Sequence, residues 1–243
     1  MKRIAGNKKG QFIIIGMLII AIMIISTGAI MHRAATYYRH ERWAEYLSLM
    51  GDIELSANKL VELSLCNYTH SNDAGVLAFN IKAWQNDLAT MYPGYGIGLS
   101  CDPSNGPVNL GGVTVDYSSG LGRVWDKNSS ISVANASFTV NVASMGLTGY
   151  KFSTPVMLNL TVLNATGTQI YVSVRRENNQ VFTDLEKENF LVTSYNIKSV
   201  VSLHDQKNIH VYLIELFTTV STPFTVSAWD HRGIKVAAQY PTS

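Results

Sequence analysis

The sequence predicts an α+β chain: a long N-terminal helix that is transmembrane and then amphipathic, a helical hairpin made with a second helix, and an antiparallel β-domain. Three observations predict it. Residues 12–31 form an uncharged apolar run whose only polar side chains are Ser26 and Thr27. Apolar residues then recur at helical spacing as far as Cys66, and from Gly111 onward the period changes to two.

At 1.5 Å rise per residue, residues 12–31 reach across roughly 30 Å of hydrocarbon, and a helix satisfies its own backbone there. Before the run stands a basic leader, residues 1–10, with Lys2, Arg3, Lys8 and Lys9 and no acid. Beyond it Arg33, Arg39 and Arg42 are interspersed with Glu41 and Glu45. The excess of positive charge on the short side places the N-terminus in the cytoplasm and the C-terminal domain outside, on a single-pass cell-membrane protein. The apolar run is too long for a secretory signal and lacks a convincing A-x-A after it. Two readings follow: an uncleaved signal anchor, or cleavage on the cytoplasmic side between Gly10 and Gln11.

The periodicity continues past the membrane. Trp43, Tyr46, Met50, Ile53, Ala57 and Leu60 recur at three and four residues, and Leu47, Val61 and Leu65 widen the stripe. No proline stands between Gln11 and Cys66, and only Gly51 weakens the pattern. One helix over residues 11–66, roughly 80 Å long, accounts for this. Two helices with a bend near residues 32–38 are the alternative. After a short loop at residues 67–70, Ser71, Asn72 and Asp73 offer caps for a second helix over residues 72–92. It carries Leu77, Ile81, Trp84, Leu88 and Met91 and stops at Pro93. A helix folded back antiparallel over roughly 28 Å, followed by nine extended residues spanning about 30 Å, lets Cys101 reach Cys66. An exported chain would oxidise such a pair; two unrelated buried thiols are the other reading.

Residues 111–240 read as an extracellular β-domain. Val113, Val115 and Tyr117 alternate with polar residues, as do Phe138, Val140 and Val142, and Leu158, Leu160 and Val162. Ile170, Val172 and Val174 follow the same rule, as do Phe224, Val226 and Ala228, then Ile234, Val236 and Ala238. Asp230-His231-Arg232-Gly233 joins the last two as a hairpin turn. Seven to nine short strands of this kind predict an immunoglobulin-like β-sandwich. Five N-glycosylation sequons, at Asn67, Asn128, Asn135, Asn159 and Asn164, all lie beyond the membrane run. Asn159 falls on the polar face of its strand and Asn164 in the turn after it.

Chemistry is sparse. Gly94-Tyr95-Gly96-Ile97-Gly98 follows a helix and precedes strands, the reverse of a phosphate-binding loop, so it reads as a plain loop. His204, Asp205, His210, Asp230 and His231 could converge, but no activated nucleophile or H-E-x-x-H spacing accompanies them. They read as surface turn residues, and Trp84, Trp125 and Trp229 as core, with one of them able to line a glycan-binding face. No catalytic, cofactor-binding or metal-ligating residue is assigned, no cofactor is implied, and the chain is not expected to be an enzyme. With 243 residues, 15% charged, and a net charge of +2 scattered along the chain, nucleic acid is not an expected partner.

Lys8-Lys9-Gly10-Gln11-Phe12, between a basic leader and an apolar helix, resembles the class III signal peptide of archaeal type IV pilin-like proteins. The resemblance covers residues 1–66. It implies a prepilin-type peptidase cutting after Gly10 to leave Gln11 first, with the membrane and other pilin-like subunits as partners. The chain then is a membrane-anchored surface protein, structural or adhesive, such as a minor pilin. The glutamate that bacterial pilins carry five residues into the mature chain is replaced by Ile15, and archaeal filament proteins often lack it too. A solitary anchored module binding a carbohydrate or protein is the second expectation. An anchored enzyme acting on surface polymers is the third and rests only on the scattered histidines.

Overall fold

A computed structural model describes residues 8–204 and 210–241, with side chains described for 16–34, 44–203 and 210–241. The chain is α+β and divides into two units, Met1–Ile53 and Glu54–Ser243.

The first helix, α1, runs Lys8–Ser71. Among the described residues it holds one segment, Gly16–Ala34, long and apolar enough to cross a membrane, with mean hydropathy 1.8 and nothing buried. Thr27 turns its hydroxyl back onto the Met23 carbonyl at 2.8 Å, so it offers no unmet donor to an apolar surround. At its far end α1 buries Ala57, Val61 and Leu65, an i, i+4 stripe. The expected loop at residues 67–70 is instead helical. The helix stops at Asn72, which takes φ +61° and donates its N–H to the Tyr68 carbonyl at 2.9 Å. Asparagine tolerates this left-handed cap, so Asn72 ends the first helix rather than starting the second. The second helix, α2, is shorter than expected, Val76–Met91, and Asp73 Oδ1 accepts the Gly75 N–H in the turn before it.

Fourteen strands, β1 to β14 in chain order, follow among the described residues, against an expected seven to nine. They begin at Ile97, ahead of the expected boundary at 111, and every strand pairing is antiparallel. A six-stranded sheet has the order β11 (Ile197–His204), β12 (His210–Leu216), β9 (Gln169–Arg176), β8 (Val156–Thr166), β5 (Ser129–Ala134), β4 (Leu121–Val124). One three-stranded sheet is β10 (Phe190–Val192), β13 (Phe224–Trp229), β14 (Lys235–Tyr240). Another is β1 (Ile97–Pro103), β6 (Ala136–Val142), β7 (Leu147–Ser153), and β2 (Gly106–Leu110) pairs with β3 (Val113–Tyr117) as a ribbon.

One apolar cluster unites the second unit. It takes Leu158 and Leu160 from β8, Val172 and Val174 from β9, Val226 from β13 and Val236 from β14, together with the α1 stripe and Leu77 and Ile81 of α2. β14 packs on β5 and β8, an arrangement compatible with a β-sandwich. The other face of the six-stranded sheet is partly covered by the β2–β3 ribbon, where Val113, Val115 and Tyr117 meet Ile131 and Val133 in a second, smaller cluster.

Candidate functional site

The densest polar constellation is built around the turn between β13 and β14. Asp230 is buried, and its Oδ1 accepts the N–H groups of Arg232 and Ile234 at 3.0 and 3.1 Å. The tight turn places Gly233 at φ +78° against α1, where a Cβ would come within 3.0 Å of Cys66 Sγ. Arg232 folds back so that Nε reaches Asp230 Oδ2 at 2.7 Å and Nη1 reaches Glu177 Oε1 at 2.7 Å. Glu62 of α1 lies 3.5 Å from the same Nη1 and is itself held by Lys59 at 2.8 Å. The guanidinium is nine-tenths buried. Burial pulls its pKa down, but Asp230 and Glu177 outweigh burial and leave it raised.

The carboxylates here are already engaged. Glu177 Oε1 also accepts the Met157 N–H at 2.8 Å, so the cluster binds four elements of the chain to each other rather than presenting ligands outward. Among the described residues no group of three or more His, Cys, Asp or Glu could hold a metal ion. Further along the same seam Thr69 Oγ1 accepts the Lys235 N–H at 3.2 Å, and His70 Nε2 lies 3.1 Å from the Gly233 carbonyl. The arrangement is a clasp closing the end of α1 onto the β13–β14 hairpin.

Among the described residues, the histidines and acids of the expected group divide between the β11–β12 pair and the β13–β14 turn. Asp230 is 2% exposed and His210 is 6% exposed, so neither is a surface turn residue. His210 sits in β12 with Nε2 2.8 Å from Ser202 Oγ, and His204 is its cross-strand neighbour in β11. His231 instead lies beside the Phe182 ring, and Asp205 falls outside the described residues. Trp84 and Trp125 pack on the main cluster, and Trp229 closes β13. Arg123 stacks over the Trp125 ring at 4.5 Å, and Trp125 Nε1 donates to Ser132. Gly10 and Gln11 fall in the first turns of α1, without described side chains.

Cys66 and Cys101 are free thiols in this structure, and no bridge joins them. Cys66 faces the Gly233 turn, whereas Cys101 lies in β1 opposite Phe138. Burial, and then Asp102, push the Cys101 thiol up to about 11. An unfolded thiol ionises near 8.5, so between about pH 8.5 and 11 the unfolded chain releases a proton that the fold retains, and stability falls as pH rises. For a half-buried group the loss is discounted to about 1 kcal/mol. Denaturation midpoints at pH 8 and pH 10.5 therefore separate more in the wild type than in Cys101→Ala, and equal separations would show that the fold does not hold this thiol protonated beyond its unfolded value.

The sequons divide by environment. Asn67, Asn128 and Asn164 are exposed. Asn135 is half-buried with Nδ2 donating to Ser104 Oγ at 3.0 Å, and Asn159 is half-buried with Nδ2 donating to the Ser130 carbonyl at 3.2 Å. Asn159 lies on the face of the six-stranded sheet that the ribbon covers only in part, where a groove of about 860 Å³ runs beside β2–β3. Leu110, Tyr117, Met157 and Leu163 make its apolar wall, and Ser129, Asn159, Thr161, Ser173 and Arg175 its polar floor. Sequence reasoning did not single out Ser129, Ser173 or Arg175, because serines and an arginine on a strand read as solvated. Their sharing of one face becomes legible only once the register of three strands is known.

The fold and these sites define a class no finer than an α+β chain with one candidate membrane helix and an antiparallel β-domain. No protein-family model, no curated protein and no solved structure matches the chain.

Proposed function

We propose that the chain is a pilin-like, membrane-anchored cell-surface protein, structural or adhesive, and a minor subunit of a type IV pilus-like filament. The observation that carries this reading is Lys9-Gly10-Gln11 standing directly before an apolar helical segment whose helix continues into the core of the β-domain as Ala57, Val61 and Leu65. A plain anchor can end in any flexible stalk. A helix shared between membrane segment and folded domain can also be drawn from the bilayer and packed against copies of itself.

In this reading the leader is cytoplasmic until a prepilin-type peptidase cuts after Gly10, and the β-domain lies outside. The two helices form a hairpin, which the hydrogen bond from Asn80 Nδ2 to Ser64 Oγ at 2.9 Å supports. The strands form an immunoglobulin-like sandwich, which the shared core between the six-stranded and β10–β13–β14 sheets supports. Glycans, where the host attaches them, belong at the exposed Asn67, Asn128 and Asn164.

Intact-mass spectrometry of protein extracted from its native membrane tests the reading. The expected chain begins at Gln11, and Gly10→Val restores the ten-residue leader; a wild-type chain beginning at Met1 refutes the processing. The second reading, a solitary anchored binding module, is favoured by the groove beside the β2–β3 ribbon. Electron microscopy of sheared surface filaments, labelled for this chain, separates the two.

A further inference from the structure

The groove floor is chemically specific. Ser129 stands opposite Thr161 and Thr161 opposite Ser173, so three hydroxyls form one row across β5, β8 and β9. Ile131, Asn159 and Arg175 form the next row. Leu158, Leu160, Val172 and Val174 take the core side of these strands, and by alternation both rows take the groove side.

Asn159 donates from Nδ2 to the Ser130 carbonyl, so its Oδ1 accepts the Thr161 hydroxyl at 3.3 Å. With the Thr161 proton on Asn159, Ser129 is the donor in its 3.0 Å contact with Thr161. The chain Ser129 to Thr161 to Asn159 therefore leaves lone pairs on Ser129 facing an incoming donor. Ser173 is different: it is 5% exposed, and its hydroxyl has no hydrogen-bond partner among the described residues. A buried hydroxyl left unmet is costly, so a donor and acceptor standing idle at the base of a groove points to a ligand that supplies both.

Alternatives fail on the same observations. A purely apolar ligand leaves Ser173 unmet. An anion calls for converging cations, but among the described residues the groove is lined by one, Arg175, with Nη1 already on Asn179 at 2.9 Å and the Glu177 carboxylate also in the lining. A peptide added as a strand needs a free sheet edge, whereas β5, β8 and β9 are each paired on both sides. What matches a floor of hydroxyls and an amide, flanked by Met157 and Leu163 on β8 and by Leu110 and Tyr117 on the ribbon, is a molecule with an apolar face and a hydroxyl rim.

We propose that this groove binds a neutral oligosaccharide, its sugar hydroxyls donating to Ser129 and exchanging hydrogen bonds with Ser173, and its C–H faces on the apolar wall. The volume lies within the range of small-molecule sites. The proposal stands whether or not the leader is cleaved.

The test uses the full chain in phosphatidylcholine nanodiscs, offered maltotriose, mannotriose and triacetylchitotriose, with saturation-transfer NMR and calorimetry as readouts. At least one is expected to bind saturably, and Ser173→Ala to weaken that binding about five- to tenfold. The same substitution leaves the thermal midpoint unchanged or raised, because it deletes an unmet buried hydroxyl, which separates a binding role from a structural one. Absence of transfer from all three sugars overturns the proposal, as does Ser173→Ala binding like wild type. Self-association in sedimentation that Leu163→Arg abolishes, with no sugar bound, also overturns it and assigns the face to a second copy of the chain.

Discussion

Arg232→Met lowers the stability of the folded β-domain by about 3–5 kcal/mol, the range for removing one member of a buried ion pair. The cost arises from what is left behind. Asp230 keeps its backbone N–H donors but loses the cation at 2.7 Å while enclosed, and the Glu177 carboxylate loses its partner at 2.7 Å. Arg232→Lys recovers little, since a single ammonium cannot reach Asp230, Glu177 and the Met157 carbonyl together as the guanidinium fork does. Adding Asp230→Asn to Arg232→Met removes the uncompensated charge, so the double variant is less destabilised than the two single losses sum to. At about 2–4 °C per kcal/mol for a unit of this size, Arg232→Met shifts the thermal midpoint down by roughly 6–20 °C. A shift under about 2 °C would mean that the clasp is solvated and carries no structural weight.

That clasp was illegible in the sequence, and the reason is physical. Asp230-His231-Arg232-Gly233 has the composition of a solvated turn, and it is a turn. What buries it is Glu177, 55 residues from Arg232, and Glu62 on α1, and no local pattern reports such distant partners. The strands that alternated cleanly, such as β3, β6 and β8, were readable because one face meets the core and the other does not. β5 was not, because both its faces are covered: Ile131 and Val133 by the β2–β3 ribbon, and Ser130 and Ser132 by the main core. Those two serines are tolerated inside only because each hydroxyl donates to a carbonyl, Ser130 to Lys127 and Ser132 to Lys235. Polar residues that are satisfied tertiarily erase the hydrophobic period on which strand reading depends. The apolar run is the opposite case: its length and apolarity are local properties, and the helix over it was read directly. Asn72 lies between the two cases, a residue whose short amide suits either a helix start or a left-handed stop.

Phe138→Ala is expected to cost about 3–5 kcal/mol, through lost burial and through the cavity that a β-sheet cannot close. Phe138 is fully buried in β6, with Cys101 on one side and Phe152 on the other in register. Its ring stacks on Phe152 at 5.3 Å and receives the Trp84 ring edge-on at 5.9 Å. Trp84 belongs to α2, so this one side chain joins the helix to the β1–β6–β7 sheet. Gln85 adds a single hydrogen bond from α2 to the Leu99 carbonyl at 2.9 Å. Losing Phe138 should therefore loosen α2 selectively: amide exchange in Val76–Met91 accelerates more than in β8 or β9, while Phe152→Ala, at a half-buried position, costs about 1–2 kcal/mol and spares the helix. Phe138→Leu separates the contributions, since it keeps most of the volume and loses both ring contacts, each worth about 0.5–1.5 kcal/mol. Equal acceleration across all elements would show that α2 is held by the aliphatic contacts of Leu77 and Ile81, and that the aromatic joint fills space without docking the helix.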